Sequence, residues 1–227
     1  MPVTLGHEFC GRIVEVPQGS QLKPGQKVMC DPRLYCRSCP ACDIGQTNLC
    51  RKFGFLGLTG GGGGGLSEFV AVDEDQVYPL PDDVPLEIAA LIEPLAVAWH
   101  GVSTSGVPVP VSEPVLVLGG GPIGLAAAVV LRARGAKNVV VSEPGAQRRQ
   151  LASELADVVL NPRETNVAAK MHEMTGGRGV TLVMDCAGIQ AGLMDGIHSM
   201  GVKGVYLNLA GWEQDVCMPL PSRPSLR

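Results

Sequence analysis

Four cysteines fall inside one short stretch, CRSCPACDIGQTNLC (Cys36–Cys50), with the spacing C-x2-C-x2-C-x7-C. Four thiolates this close suit a tetrahedral zinc ion whose coordination is complete, a site that shapes a loop and does no chemistry. Two other readings compete with it. Paired disulfides need an oxidising compartment, and residues 1–20 show no basic start, apolar core or small-residue cleavage site. A zinc ribbon on nucleic acid needs a basic surface, whereas 18 Lys+Arg face 22 Asp+Glu, for a net charge of −4 and a pI of 5.6. The spacing therefore predicts a structural zinc held by Cys36, Cys39, Cys42 and Cys50. Cys10, Cys30, Cys186 and Cys217 are scattered in apolar contexts and are expected to be plain buried residues.

A chain of 227 residues can hold one large domain or two modest ones, and 45% hydrophobic content allows a real core. The acidic balance argues against nucleic acid and anionic membrane as partners. No targeting segment is visible, so the cytosol is the expected location. The uncharged run from Pro114 to Leu131 could be mistaken for a membrane span, but Gly119-Gly120-Gly121-Pro122 at its centre would break a spanning helix.

That same run reads as strand, turn and helix. Val115–Leu118 is a fully apolar strand, and Gly119, Gly121 and Gly124 then satisfy G-x-G-x-x-G. Gly119 serves the tight turn, Gly121 the close approach of a pyrophosphate, and Gly124 the packing of helix on strand. Ile123 opens the helix, with Pro122 near its first position, and the helix N-terminus offers free N–H groups and a positive dipole end to phosphates. The helix is expected from Ile123 to Arg134, capped by Gly135. Val139–Ser142 is a second strand, and Glu143 at its end is placed to accept the ribose hydroxyls of an adenosine and to repel a 2′-phosphate. NAD is thus favoured, while Arg148 and Arg149 nearby keep NADP as the lesser alternative. Further strands are expected at Asp157–Leu160, Val180–Met184 and Gly204–Leu209, with helices between them at Thr165–Met174 and Gln190–Met200. Strands alternating with helical crossovers predict an α/β fold with a doubly wound parallel sheet of the Rossmann type. A sixth strand is not expected, because Pro219–Arg227 has no periodicity and carries three prolines.

Residues 1–80 look all-β, with strands expected at Phe9–Val16, Lys27–Cys30 and Leu66–Val72. Six consecutive glycines at 60–65 suit a loop within one domain better than a linker, since β-type sequence flanks them. Three residues draw chemical interest. His7 and Glu8 open a strand, where a cleft can lie. Glu93 precedes Pro94 in an otherwise apolar helical pattern, so it is expected at a break between two helices. A carboxylate there needs a cation, a metal or a hydrogen-bonding water.

Together these pieces resemble the zinc-dependent medium-chain dehydrogenases, and within them the butanediol and polyol dehydrogenases. Gly6-His7-Glu8, the four-cysteine lobe, GFLGLTGGGGGGLSEFVAVDE (Gly54–Glu74), ALIEPLAVAWHGV (Ala90–Val102) and VLVLGGGPIG (Val115–Gly124) carry the resemblance in the family's order. It implies a partial GroES-like catalytic lobe over residues 1–94 and an NAD-binding Rossmann domain over 95–227. It also implies a second, catalytic zinc between the lobes, with His7 as ligand, Glu8 as ligand or supporting group, and Glu93 on the metal or its water. The implied reaction is oxidation of a secondary alcohol or vicinal diol, with hydride passed to NAD; Gly119, Gly121, Pro122, Ile123, Gly124, Glu143 and Arg148 are the implied cofactor contacts. The complete protein is implied to be a homo-oligomer.

The family carries a cysteine ligand upstream of this motif, and only six residues precede His7 here. A chain shortened at both ends is therefore expected, lacking that ligand and the last strand of the cofactor domain. Cys10 is not expected to substitute, since it lies three residues along the same strand on the opposite face. The competing expectation is a non-catalytic remnant that keeps the structural zinc and NAD binding.

Overall fold

Proline, glycine, asparagine and aspartate punctuate the first part of the sequence so often that only short strands fit between them. A computed structural model describes residues 4–59, 63–108 and 113–218 and divides the chain into two units, Met1–Glu93 and Pro94–Arg227. In the first unit, β1 (Cys10–Arg12) pairs antiparallel with β2 (Lys27–Cys30). A hairpin of β3 (Arg33–Leu34) and β4 (Gly54–Phe55) encloses α1 (Pro40–Asp43) and the cysteines, and β5 (Val77–Pro79) joins the free side of β2.

Two strand expectations do not hold at their full length. The strand expected at Phe9–Val16 is cut to β1, because its partner ends in the turn at Lys23–Gln26, where Gly25 donates to the Ile13 carbonyl. Leu66–Val72 forms no ladder at all. Its start is drawn into a turn in which Ser67 bonds Gly64 through both its N–H and its hydroxyl, and Leu66 and Phe69 face solvent. Among the described residues this segment pairs with no strand, despite its strand-type composition. Residues 60–62 of the glycine run lie outside the described residues.

The chain then enters α2 (Leu86–Ala89) and α3 (Ile92–Thr104). The helix break falls at Ala90–Leu91, and Glu93 sits inside the first turn of α3. Pro94 is tolerated there because first-turn N–H groups have no helical acceptor in any case.

The second unit is built from β6 (Val115–Leu118), α4 (Pro122–Ala133), β7 (Val139–Ser142), α5 (Ala146–Ala152), β8 (Val158–Leu160), α6 (Val167–Met174), β9 (Val180–Asp185), α7 (Gln190–Ser199) and β10 (Met200–Asn208). The strands form one parallel sheet in the order β10-β9-β6-β7-β8. This is the doubly wound arrangement expected, with five strands among the described residues. The expected non-strand tail, Pro219–Arg227, lies outside them. VLVL and VVVS lack polar alternation because both faces are covered. Val115, Val117, Val139, Val141, Leu182 and Met184 pack with α3 and α4, while Leu116, Leu118, Val140 and Val183 pack with Val167 and Met171 of α6. α4 ends as Gly135 predicts: at φ +87° it donates to the Arg132 carbonyl, and Ala136 donates to that of Leu131.

One edge contact gives a pH-dependent prediction. Asp157 accepts from the Val139 N–H (2.7 Å) and pairs with Arg132 (2.8 Å). Burial alone would raise its carboxyl, but Arg132 and the Val139 N–H outweigh it and hold it below its ordinary value. A carboxyl lowered on folding stabilises above its unfolded pKa, and the contribution is lost as pH falls through the folded value. Asp157→Asn is therefore expected to lower stability at neutral pH, with the gap to the parent closing in acid. Urea denaturation across a pH series checks this.

Candidate dinucleotide and metal sites

Backbone crowding builds the dinucleotide loop. Gly119 turns the chain at φ +93°, and a Cβ on Gly124 would lie 1.9 Å from the Gly119 carbonyl oxygen, so helix and strand meet with no room for a side chain. Beside Gly121, in contrast, a Cβ would meet nothing within 4 Å. That open space adjoins the start of α4, whose N-cap Gly121 makes no side-chain cap. Among the described residues, the N–H groups of Gly121, Ile123 and Gly124 have no acceptor. A free cradle at the N-terminus of a twelve-residue helix fits a pyrophosphate.

Glu143 is almost fully buried beside this cradle. One carboxylate oxygen accepts from the Gly120 N–H (2.8 Å), the other from the Gly145 N–H (2.7 Å). Each oxygen keeps a second lone pair, enough for two ribose hydroxyls. Gly120 and Gly145 were not singled out by the sequence; the only signal was their glycine identity on either side of the acid. Arg149 donates to the carbonyls of Glu143 and Pro144 and so is used in shaping the loop, while Arg148 is exposed on α5.

In the first unit the sulfurs of Cys36, Cys39, Cys42 and Cys50 all lie within 4.8 Å of one another, and Cys39 and Cys42 are 3.6 Å apart. A tetrahedral zinc with Zn–S of about 2.3 Å needs sulfurs about 3.8 Å apart, so the set fits. The fold prepares the thiolates. The N–H groups of Cys36 and Lys52 point at the Cys50 sulfur at 3.2 and 3.3 Å. Backbone N–H groups of Arg51 and Cys42 bring the Cys39 thiol down to about 6, and Ser38 lowers Cys36, whereas burial and the neighbouring thiols push Cys42 up to about 11. Arg37, at φ +57°, bridges Asp73 and Asp75 and packs over Tyr35, anchoring the loop to the rest of the unit. The remaining cysteines are less uniform than expected. Cys30 is buried and pushed up to about 12, Cys186 is half-buried with the same shift, Cys10 donates to the Leu86 carbonyl, and Cys217 is exposed.

A second cluster forms around His7. Gly6 donates to the Gly57 carbonyl, Gly65 donates to that of Gly6, and a Cβ on Gly57 would lie 2.1 Å from the Gly6 oxygen. The described end of the glycine run thus packs against the chain that presents His7. The imidazole rests edge-on against Phe55 (5.5 Å, 65°). One ligand atom each from His7, Glu8 and Glu93 comes within 4.8 Å of the others, and Cys10 is not in the group. One imidazole and two carboxylates form a three-donor set of the kind that leaves zinc an open position. Burial pushes the half-buried Glu93 carboxyl up; His7 and Arg33 oppose this, and Glu8 and Asp31 add to it.

Residues 1–82 match the family model of the alcohol dehydrogenase GroES-like domain, and residues 122–226 that of the zinc-binding dehydrogenases. The chain is 38% identical over 215 residues to (R,R)-butanediol dehydrogenase of Bacillus subtilis strain 168, across 94% of this chain and 60% of that enzyme. The X-ray structure of 2R,3R-butanediol dehydrogenase from Bacillus subtilis matches with a TM-score of 0.85 at 37% identity, covering 96% of this chain and 61% of that one. The short chain alcohol dehydrogenase (rspB) from Escherichia coli CFT073, complexed with NADH, matches with a TM-score of 0.86 at 28% identity, over 96% and 64%. The chain spans 55% to 62% of the length of the first curated relatives it matches. Among the described residues, no helix is long and apolar enough to cross a membrane.

Proposed function

The chain belongs to the zinc-dependent medium-chain dehydrogenases, and from that premise we propose that it serves the NAD-dependent oxidation of a secondary alcohol or vicinal diol to a ketone. The convergence of His7, Glu8 and Glu93 in one unit, with a phosphate cradle in the other, is the observation that carries this reading. His7, Glu8 and Glu93 would hold the catalytic zinc, and Cys36, Cys39, Cys42 and Cys50 the structural one. Zinc held at the first site would supply Lewis acidity toward a substrate hydroxyl, whose proton would pass to solvent, and bound NAD would serve as the hydride acceptor. The chain's own contribution is placement. Phe55 and the Gly6–Gly57 contact fix the imidazole, and the first turn of α3 presents Glu93 beside it. Gly119, Gly121, Pro122, Ile123 and Gly124 shape the pyrophosphate cradle, Glu143 takes the adenosine ribose, and Arg148 borders it. Glu143 also disfavours a 2′-phosphate, so NAD is preferred to NADP.

In this reading residues 1–94 form the catalytic lobe and 95–227 the cofactor domain. The cytosol is the location, since four closely spaced cysteines kept as zinc thiolates suit a reducing compartment. A homo-oligomer is favoured by the open outer side of β10, an edge strand among the described residues.

The test is NADH formation with (R,R)-2,3-butanediol, comparing the parent with His7→Ala. Activity is expected to fall about a thousand-fold in the variant, the scale on which one electrostatic group at a reacting centre acts. A parent that binds NADH but turns over no alcohol or diol, or a variant as active as the parent, would overturn the catalytic reading.

A further inference from the structure

The strand order reverses between β6 and β9, and in such sheets a dinucleotide lies across that crevice at the C-terminal strand ends. Glu143 directly follows β7 on one side, so a cofactor whose adenosine sits there extends its second nucleoside toward β9. The last residue of β9 is Asp185, which is fully buried. One of its oxygens accepts from the N–H groups of Ala187 (2.9 Å) and Gly188 (3.0 Å), and the other accepts from the Tyr206 hydroxyl (2.8 Å). The turn at 186–188 that Asp185 gathers rests directly on the dinucleotide loop. A Cβ on Gly119 would come within 3.3 Å of Ala187. Among the described residues, the carbonyls of Cys186, Ala187 and Gly188 accept no hydrogen bond, which leaves three acceptors at the crevice.

Tyr206 is held in its own slot. A Cβ on Gly196, inside α7, would lie 2.7 Å from the Tyr206 ring. Glycine weakens a helix interior, and here it gives the ring room. Burial, then the bond to Asp185, raises the phenol above its ordinary pKa, so the hydroxyl keeps its proton and remains the donor.

We propose that Tyr206 is a positioning residue for the cofactor: through Asp185 it sets the turn at 186–188, which forms the wall against the second nucleoside. The inference rests on the dinucleotide-binding reading above and goes beyond it by separating the two halves of the ligand. Tyr206 governs affinity for the nicotinamide half and leaves the adenosine half, held by Gly119–Gly124 and Glu143, untouched.

The test titrates NADH and 5′-AMP separately into the parent, Tyr206→Phe and Gly196→Ala. Each variant is expected to bind NADH about ten-fold more weakly, the scale of one lost hydrogen bond to a charged group, and to bind 5′-AMP as the parent does. Retained 5′-AMP binding also shows that the variants fold. Equal weakening of both ligands would assign Tyr206 to general stability and overturn the proposal, as would NADH binding unchanged in both variants. A parent that binds neither ligand would overturn the dinucleotide reading itself, and this inference with it.

Discussion

Gly124→Ala is expected to abolish NADH binding and to cost about 3 kcal/mol of stability or more. The added methyl would stand 1.9 Å from the Gly119 carbonyl oxygen, and that oxygen belongs to backbone at the end of a buried strand. It has no flexible side chain to move aside. Relief requires α4 to shift away from β6, which costs energy in the way overpacked cores do, and it displaces the N–H groups that form the cradle. Chemical denaturation and NADH titration of the same preparation separate the two effects. Near-parent stability with intact NADH binding would show that α4 does not meet β6 this closely.

The second large effect is expected at the cysteine lobe. Cys39→Ser removes one thiolate, the one that the Arg51 and Cys42 N–H groups bring down to about 6. Apart from the metal, few contacts hold the segment between Arg37 and Cys50: α1 is four residues long and contains no buried residue. Metal binding free energy in such a loop is folding free energy, on the order of 10 kcal/mol for structural zinc. The variant is expected to lose one zinc per chain and to become open to protease within residues 36–50. NADH binding, which uses residues of the other unit, is expected to persist. A Cys39→Ser protein with full metal content and unchanged protease resistance would rule out the four-thiolate site.

Much of this was legible in the sequence, for reasons that are local. The cysteine spacing and the G-x-G-x-x-G run encode their geometry within a few residues, and strands buried on both faces declare themselves as unbroken apolar runs such as VLVL. Boundaries of the second unit moved by only one to a few residues; the largest change, at β10, starts at Met200 instead of Gly204. What stayed hidden depends on partners distant in sequence. Leu66–Val72 has strand-like composition yet pairs with no strand among the described residues. Glu93 lies within a helix because Pro94 falls in a first turn, which a pre-proline rule cannot foresee without knowing where α3 starts. Arg37 reads as one more surface cation until the fold brings Asp73 and Asp75 to it. Likewise Asp185 and Tyr206 stand in no motif, and only the pairing of β9 with β10 brings them together.

The proposed chemistry depends most directly on a second metal site in the first unit, so the decisive measurement is zinc content per chain by inductively coupled plasma mass spectrometry, for the parent and for His7→Ala. Two zinc ions in the parent and one in the variant are expected, the lost ion being the one held by His7, Glu8 and Glu93. One zinc in both proteins would leave only the cysteine lobe filled and contradict the catalytic centre.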